Sequence, residues 1–233
     1  MKEDTENRRG RVQELREEIE FHDQRYYQRN DPRITDQEYD RLKEEYARLM
    51  QEEGMNPEED SLLQRVGDDR TRGFVTRRHR EPMASLDNSY SEEEIARFFE
   101  RLEKRLDRSD LFYVVQPKID GLAISLTYES GRFLYAVTRG NGVEGDDVTA
   151  NVRNVEAIPS VLKGSDVPEV IEIRGEVFIS DEEFERINQS RREQGLSLFA
   201  NPRNLAAGTV KLLDSSVVAE RKLEIRLYGL GAC

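Results

Sequence analysis

The tetrapeptide Lys118-Ile-Asp-Gly121 sets a primary amine two residues before a carboxylate and three before a glycine. A lysine amine is a competent nucleophile once its proton is lost, and partial desolvation or neighbouring cations lower its pKa. Alone the pattern is weak, since average residue usage gives roughly one chance match per twenty chains of this size. Its surroundings add weight. Arg139 ends one predicted strand, and Glu176 lies on the polar face of a later one. A nucleophile, a phosphate-binding guanidinium and a carboxylate on one sheet surface suit attack at phosphorus. Standing alone, each has a blander reading: an exposed hairpin lysine, a surface ion pair and a solvated carboxylate.

Two further motifs carry less chemistry by residue type. Gly140-Asn-Gly-Val-Glu-Gly145 matches the G-x-G-x-x-G dinucleotide fingerprint. The fingerprint needs a parallel βαβ unit with a helix N-terminus facing a pyrophosphate. Here the preceding strand belongs to a hairpin, and Glu144, Asp146 and Asp147 would repel a diphosphate, so the segment reads as a tight glycine-permitted loop. Tyr26-Tyr27 and the acidic turn Asp36-Gln-Glu-Tyr-Asp40 would lie close together in a helical hairpin. Tyrosine faces beside carboxylates suit a flat cationic ring. On residue chemistry alone the plainer reading wins: Tyr26 and Tyr39 in the hairpin core, with the acids as favourable charges at a helix start.

The elements that must position these groups follow from periodicity. Val12, Leu15, Ile19, His22 and Tyr26 recur at spacings of three and four, which predicts a helix that Asn30-Asp31-Pro32 breaks. Thr35-x-x-Glu38 reads as a capping box, with Tyr39, Leu42, Tyr46 and Leu49 as the next apolar stripe. The polar stretch from about 51 to 82 reads as a linker or lid, and Ser91 opens another helix. From about residue 111 the period becomes two. Strands are expected over 111–116, 122–128, 133–137, 171–179 and 223–230, with a hairpin turn at Glu129-Ser-Gly131 and a favoured Asp-Gly turn at 120–121. Helices are expected from Asp181 to about 194 and from Asn201-Pro202 to about Leu213. The fold class is α+β: a small helical N-terminal domain over 1–65 and an antiparallel-rich sheet flanked by helices over 66–233.

Composition narrows the function classes. The 233 residues carry a net charge of −12, with residues 1–80 summing to −4 and 81–233 to −8, so neither half is a nucleic-acid clamp by bulk charge. No apolar run is long enough for a membrane span, and the N-terminus has no apolar signal region. Cys233 is the sole cysteine and the two histidines are scattered, which argues against disulfides and against a cysteine- or histidine-rich metal site. A soluble cytoplasmic protein without membrane partners is expected.

Taken as ordered blocks, the motifs become recognisable. YYxxxxPxITDxEYDxL at 26–42, MASLDNSYS at 83–91, PKIDGLAISLTY at 117–128, TRGNGVEGDDVTANVRNVEAIP at 138–159, IRGEVF at 173–178 and FANPRNLAAGTVKLLD at 199–214 closely resemble the N-terminal region of bacterial NAD-dependent DNA ligases. The resemblance runs from about Glu14 to Gly231. It implies a helical domain followed by a nucleotidyltransferase (ATP-grasp-like, DNA ligase) domain, and it implies roles. Lys118 matches the nucleophile that attacks the α-phosphate of NAD, releases nicotinamide mononucleotide and carries AMP, with Asp120 and Gly121 completing its motif. Arg139 and Glu176 match nucleotide-binding residues, and Ser85 and Leu86 a loop lining the NAD site. Tyr26, Tyr27, Asp36, Gln37, Glu38, Tyr39 and Asp40 match the helical domain that holds the nicotinamide mononucleotide half, which revises the plainer reading above. Magnesium is implied as the ion offsetting phosphate charge. Nicked duplex DNA is the implied partner of a complete ligase, in replication and repair.

Two departures stand out. Gln116 occupies a position near the adenine where the family usually carries glutamate; the amide keeps a carbonyl acceptor but loses the charge, so weaker nucleotide binding is expected. The family's later parts, namely the rest of the nucleotidyltransferase domain with further lysines, an OB-fold, a zinc finger, helix-hairpin-helix elements and a BRCT domain, have no counterpart in these 233 residues. Little or no DNA binding and no complete nick sealing are therefore expected of this chain alone. The rival reading is a shortened relative that acts only as a nucleotide-binding module.

Overall fold

A computed structural model describes the backbone of residues 2–28, 33–64, 68–71 and 73–233, and their side chains except those of residues 2–7, 27, 28, 36 and 64. The predicted break at 30–32 lies outside the described residues. In chain order the elements are α1 (Lys2–Asp23), a π-helical turn (Gln24–Gln28), α2 (Asp36–Glu52), a 3-10 turn (Pro57–Glu59), α3 (Ser61–Gln64), β1 (Thr76–Arg78), α4 (Glu92–Leu106), β2 (Leu122–Glu129), β3 (Arg132–Thr138), β4 (Glu144–Asp146), α5 (Thr149–Val152), β5 (Val170–Phe178), α6 (Asp181–Glu193), α7 (Pro202–Val210), α8 (Ser215–Ala219) and β6 (Glu224–Leu230). The chain divides into two compact units, one of residues 1–84 with 119–233 and one of residues 85–118. No described helix is long and apolar enough to cross a membrane.

In the first unit α1 and α2 form the expected helical hairpin. Thr35 Oγ1 accepts the Glu38 N–H, and the Glu38 carboxylate reaches back to the Thr35 N–H at 2.8 Å, so the capping box is complete. Leu15, Ile19, Tyr46, Leu49, Met50 and Leu62 pack into a small core of their own. The larger core lies beneath a four-stranded antiparallel sheet of order β3-β2-β5-β6. Alternation along β2 sends Leu122, Ile124, Leu126 and Tyr128 inward, where they meet Leu205, Ala206, Ala207 and Val210 of α7. The β2–β3 turn is made by Ser130 and Gly131, both at positive φ, as a twisted two-residue hairpin needs.

Several expectations need correcting. The polar stretch over 51–82 is not merely a linker: it holds two short helical turns and β1, which pairs antiparallel with β4. A buried ionic knot fastens this stretch to the sheet. Lys211 Nζ pairs with Asp69 at 3.1 Å and Asp146 at 3.6 Å, while the Thr138 hydroxyl donates to Asp69 and the Thr71 N–H to Asp146. Burial pushes the Asp146 carboxyl upward, partly opposed by Lys211. The helix expected from Asp181 starts at that residue, with Ser180 in the cap position but making no side-chain capping bond, and the helix from Asn201 ends at Val210, with α8 forming separately.

The second unit holds α4, capped by Ser91 Oγ on the Glu94 N–H, and the segment after it. Phe99 stacks against Tyr113 with ring centroids 4.3 Å apart. The strand expected over Leu111–Gln116 does not form: residues 109–120 carry no helix or strand, and Phe112 and Val115 are 99% and 94% exposed. Their composition favours β-structure, but a strand needs a hydrogen-bonding neighbour, and none is provided among the described residues. Without that strand, Asp120-Gly121 is not a hairpin turn.

Candidate active site

Sheet register determines which side chains share a face. Ala123, Ser125 and Thr127 of β2 lie opposite Glu176, Arg174 and Glu172 of β5, so the face turned away from the core carries one continuous polar row. Arg139 follows β3, and its N–H donates to the Ala123 carbonyl at 3.0 Å, which brings it to the Ala123–Glu176 end of that row. The Gly140–Gly145 segment is a tight loop. A Cβ on Gly140, which sits at φ +58°, would lie 1.9 Å from the Glu144 carbonyl oxygen. The strands around it are antiparallel, so the described residues form no parallel unit of a dinucleotide fingerprint there.

Gly121 is explained by close approach. A Cβ there would stand 2.2 Å from the Val177 carbonyl oxygen and 3.1 Å from Glu176 Cγ. Only a glycine lets the chain leave the Lys118-x-Asp120 segment and enter β2 directly against β5. Glu176 and Gly121 are thus neighbours, although 55 residues separate them in sequence.

Two residues that sequence reasoning did not single out join this end of the sheet. Arg203, in the first turn of α7, donates to Asp120 Oδ1 at 2.7 Å, and its guanidinium carbon lies 4.7 Å from the Tyr26 ring centroid. Burial works against the Arg203 cation, but Tyr26, Asp120 and Glu176 outweigh it and hold its pKa above the ordinary value. Tyr228, at the β5–β6 irregularity, has its phenol pushed upward by burial and then by Glu176, with Arg139 and Arg174 pulling the other way. Arg203 was visible only as part of a motif block, and Tyr228 only as one residue in a predicted strand. Finding either required knowing that α7 and β6 converge on β5.

In the helical hairpin, the Tyr39 hydroxyl donates to Asp23 at 2.5 Å, and Lys43 Nζ lies 5.0 Å above the Tyr39 ring. Gln37 is exposed and Asp40 half-buried. The Glu38 carboxyl is held below its usual range, first by the Thr35 N–H and then by the Thr35 hydroxyl. The side chains of Tyr27 and Asp36 lie outside the described residues. Ser85, Leu86, Gln116 and Lys118 belong to the second unit, and all four are exposed. The first unit therefore brings together Tyr26, Asp120, Gly121, Arg139 and Glu176 of the predicted set, and adds Arg203 and Tyr228.

The described residues contain no group of three or more His, Cys, Asp or Glu side chains placed to hold a metal ion. Magnesium in phosphate chemistry is carried largely by water and substrate phosphate oxygens with one or two carboxylates, so this donor set is compatible with it without a dedicated cage. Guanidinium groups for phosphates, a carboxylate for hydroxyls and a flat phenol ring together make a surface that fits a nucleotide.

A family model described as the NAD-dependent DNA ligase adenylation domain matches residues 71–233. The chain belongs to this family. A second model, the DNA ligase-like N-terminal NAD+-binding domain, matches residues 5–67 and accounts for the helical hairpin of this ligase adenylation region. "DNA ligase 1" of Opitutus terrae is 53% identical over 225 residues, covering 95% of this chain and 33% of the relative. "DNA ligase" of Desulforudis audaxviator is 49% identical, covering 97% and 34%, and that of Thermotoga maritima 50%, covering 93% and 31%. The ligase adenylation chain thus spans about a third of the length of the curated relatives it matches.

Proposed function

We propose that this chain carries out the self-adenylation half of NAD-dependent DNA ligation. The deprotonated Lys118 amine attacks the α-phosphorus of NAD. The nitrogen–phosphorus bond forms as the bond to the bridging oxygen breaks, giving lysyl-AMP and free nicotinamide mononucleotide. Arg139 binds phosphate, Glu176 accepts from the ribose hydroxyls, and Tyr228 offers its ring to the purine. Arg203 orients Asp120 beside the nucleophile's motif. Ser85 and Leu86 line the nucleotide site, Gly121 admits the close chain passage, and the Gln116 amide receives the adenine amino group. Tyr26, Tyr27, Asp36, Gln37, Glu38, Tyr39 and Asp40 hold the nicotinamide mononucleotide half, with the functional boundary between the two domains near residue 65. Magnesium offsets phosphate charge.

In a complete ligase the AMP passes to the 5′-phosphate at a nick in duplex DNA, and the 3′-hydroxyl displaces it to seal the strand. Replication and repair in the cytoplasm follow as the setting, with little DNA affinity in this acidic chain by itself. The observation that carries the reading is the clustering of Arg139, Glu176, Tyr228 and the Arg203–Asp120 pair around the end of β2, directly downstream in sequence of Lys118. Intact-protein mass after incubation with NAD and magnesium tests it. One AMP adduct on the parent and none on Lys118→Ala is expected. No adduct on the parent would leave the chain as a nucleotide-binding module.

A further inference from the structure

Glu172 is a carboxylate that the proposed chemistry does not use, yet it is 1% exposed. Among the described residues it forms no salt bridge within 4 Å, although the Arg174 guanidinium is its neighbour around Gly231. Its acceptors meet backbone donors instead: Oε1 accepts the Arg80 N–H at 3.2 Å, and Oε2 the Ala232 N–H at 3.4 Å. The Glu172 N–H also donates to the Ala232 carbonyl at 2.8 Å, and the Gly231 N–H donates to the Glu172 carbonyl at 2.9 Å. Opposite it on β2, the Thr127 hydroxyl is buried with no hydrogen-bond partner among the described residues. A buried carboxyl group needs its hydrogen bonds, so the backbone amides that supply them are held in place with it.

It fastens a strap. Residues 79–83 lie between β5, which carries Glu172, and the glycine loop that follows Arg139. The His79 N–H donates to Val143, His79 Nε2 lies 3.1 Å from the Arg139 carbonyl oxygen, and the Met83 N–H donates to Gly142 at 2.8 Å. From below, Arg174 donates to the Glu81 carbonyl at 2.9 Å. The strap is thus held by the Arg139 loop at both of its ends, His79 and Met83, and pinned by β5 in its middle, at Arg80 and Glu81.

We propose that Glu172 is a positioning residue for nucleotide binding: it anchors the 79–83 strap, and the strap sets the place of Arg139. The functional consequence rests on the reading of Arg139 as a phosphate ligand given above. Mechanical coupling does not, and the two are tested separately. Hydrogen exchange by mass spectrometry on Glu172→Ala should show faster exchange in both 76–84 and 139–147, while α7 keeps its protection. The NAD concentration for half-maximal adduct formation should rise about tenfold, with the plateau unchanged, as expected for a displaced binding group. Glu172→Gln, which keeps one carbonyl acceptor, should recover most of both effects.

Where Glu172→Ala also loosens α7, the fold itself has suffered. Arg80→Pro then serves, because it deletes the donor and leaves the buried carboxylate in place; the same two effects are expected. Unchanged exchange over 139–147 while 76–84 loosens would overturn the coupling. Unchanged half-saturation with a loosened 139–147 would overturn the functional consequence, as would a Gln variant no better than Ala. A parent that forms no adduct refutes the Lys118 reading, and exchange alone then decides the coupling.

Discussion

Gly121→Ala gives the sharpest test of how the lysine motif is joined to the sheet. The added methyl carbon would sit 2.2 Å from the Val177 carbonyl oxygen, 3.0 Å from its carbonyl carbon and 3.1 Å from Glu176 Cγ. The first two neighbours are backbone in a central strand hydrogen-bonded on both sides, so they cannot swing aside as a side-chain tip would. Either β2 separates from β5 at Leu122–Val177, or the chain before Leu122 moves away by more than an ångström. Forcing one extra carbon into close-packed surroundings costs about 1–3 kcal/mol. For a chain of this length, each kcal/mol lowers Tm by about 2–4 °C, so a fall of about 2–12 °C is expected. The same displacement moves Glu176, and the half-saturating NAD concentration should rise together with the loss of stability. Thermal unfolding by calorimetry and adduct titration by intact mass read the two effects on one sample. A variant with parental Tm and parental half-saturation would refute the close-approach argument outright.

Three further outcomes follow. Leu205→Ala, at a fully buried position beneath the sheet, should cost about 2–5 kcal/mol in chemical denaturation while leaving adduct yield per folded molecule unchanged. The Glu183 carboxyl is held below its ordinary value of 4.5, first by Arg186 and despite burial, so its contribution is present above that value and lost as pH falls through the lowered one. Glu183→Gln should therefore lower stability at neutral pH, with the difference from the parent shrinking as pH falls below 4.5 in a denaturation series. Gln116→Glu should tighten NAD binding about fivefold, the gain of a charged over a neutral acceptor, and equal affinities by calorimetry would dismiss it.

Much of the architecture was readable because its causes are local. The Thr35–Glu38 box, the three–four spacing through Leu15 and Ile19, and the alternation of Leu122 to Tyr128 each encode an element within a few residues. Gly121 and Glu176 were singled out by type and motif, but their contact depends on β2–β5 register, which no local pattern contains. Tyr228 illustrates the same limit: its value lies in the neighbours across β5 and β3, not in its own segment. The failure at Leu111–Gln116 runs the other way. Its β-forming composition was read correctly, yet pairing is a property of two segments, and propensity describes only one. Arg203 combines both difficulties, since an arginine at a helix start is unremarkable until Asp120 and Tyr26 are seen against it.

The unpaired run over 111–116 has a bearing on the chain's behaviour in concentrated solution. Leu-Phe-Tyr-Val-Val-Gln is six residues without charge, proline or glycine, rich in β-formers and largely exposed, which is the signature of a segment that recruits copies of itself. Asp110 and Pro117 stand at its two ends as gatekeepers, one by repulsion between stacked copies and the other by refusing a backbone donor. They limit the length of the sticky stretch without abolishing it. Turbidity on standing should therefore fall in Val114→Lys, which places a charge inside that stretch.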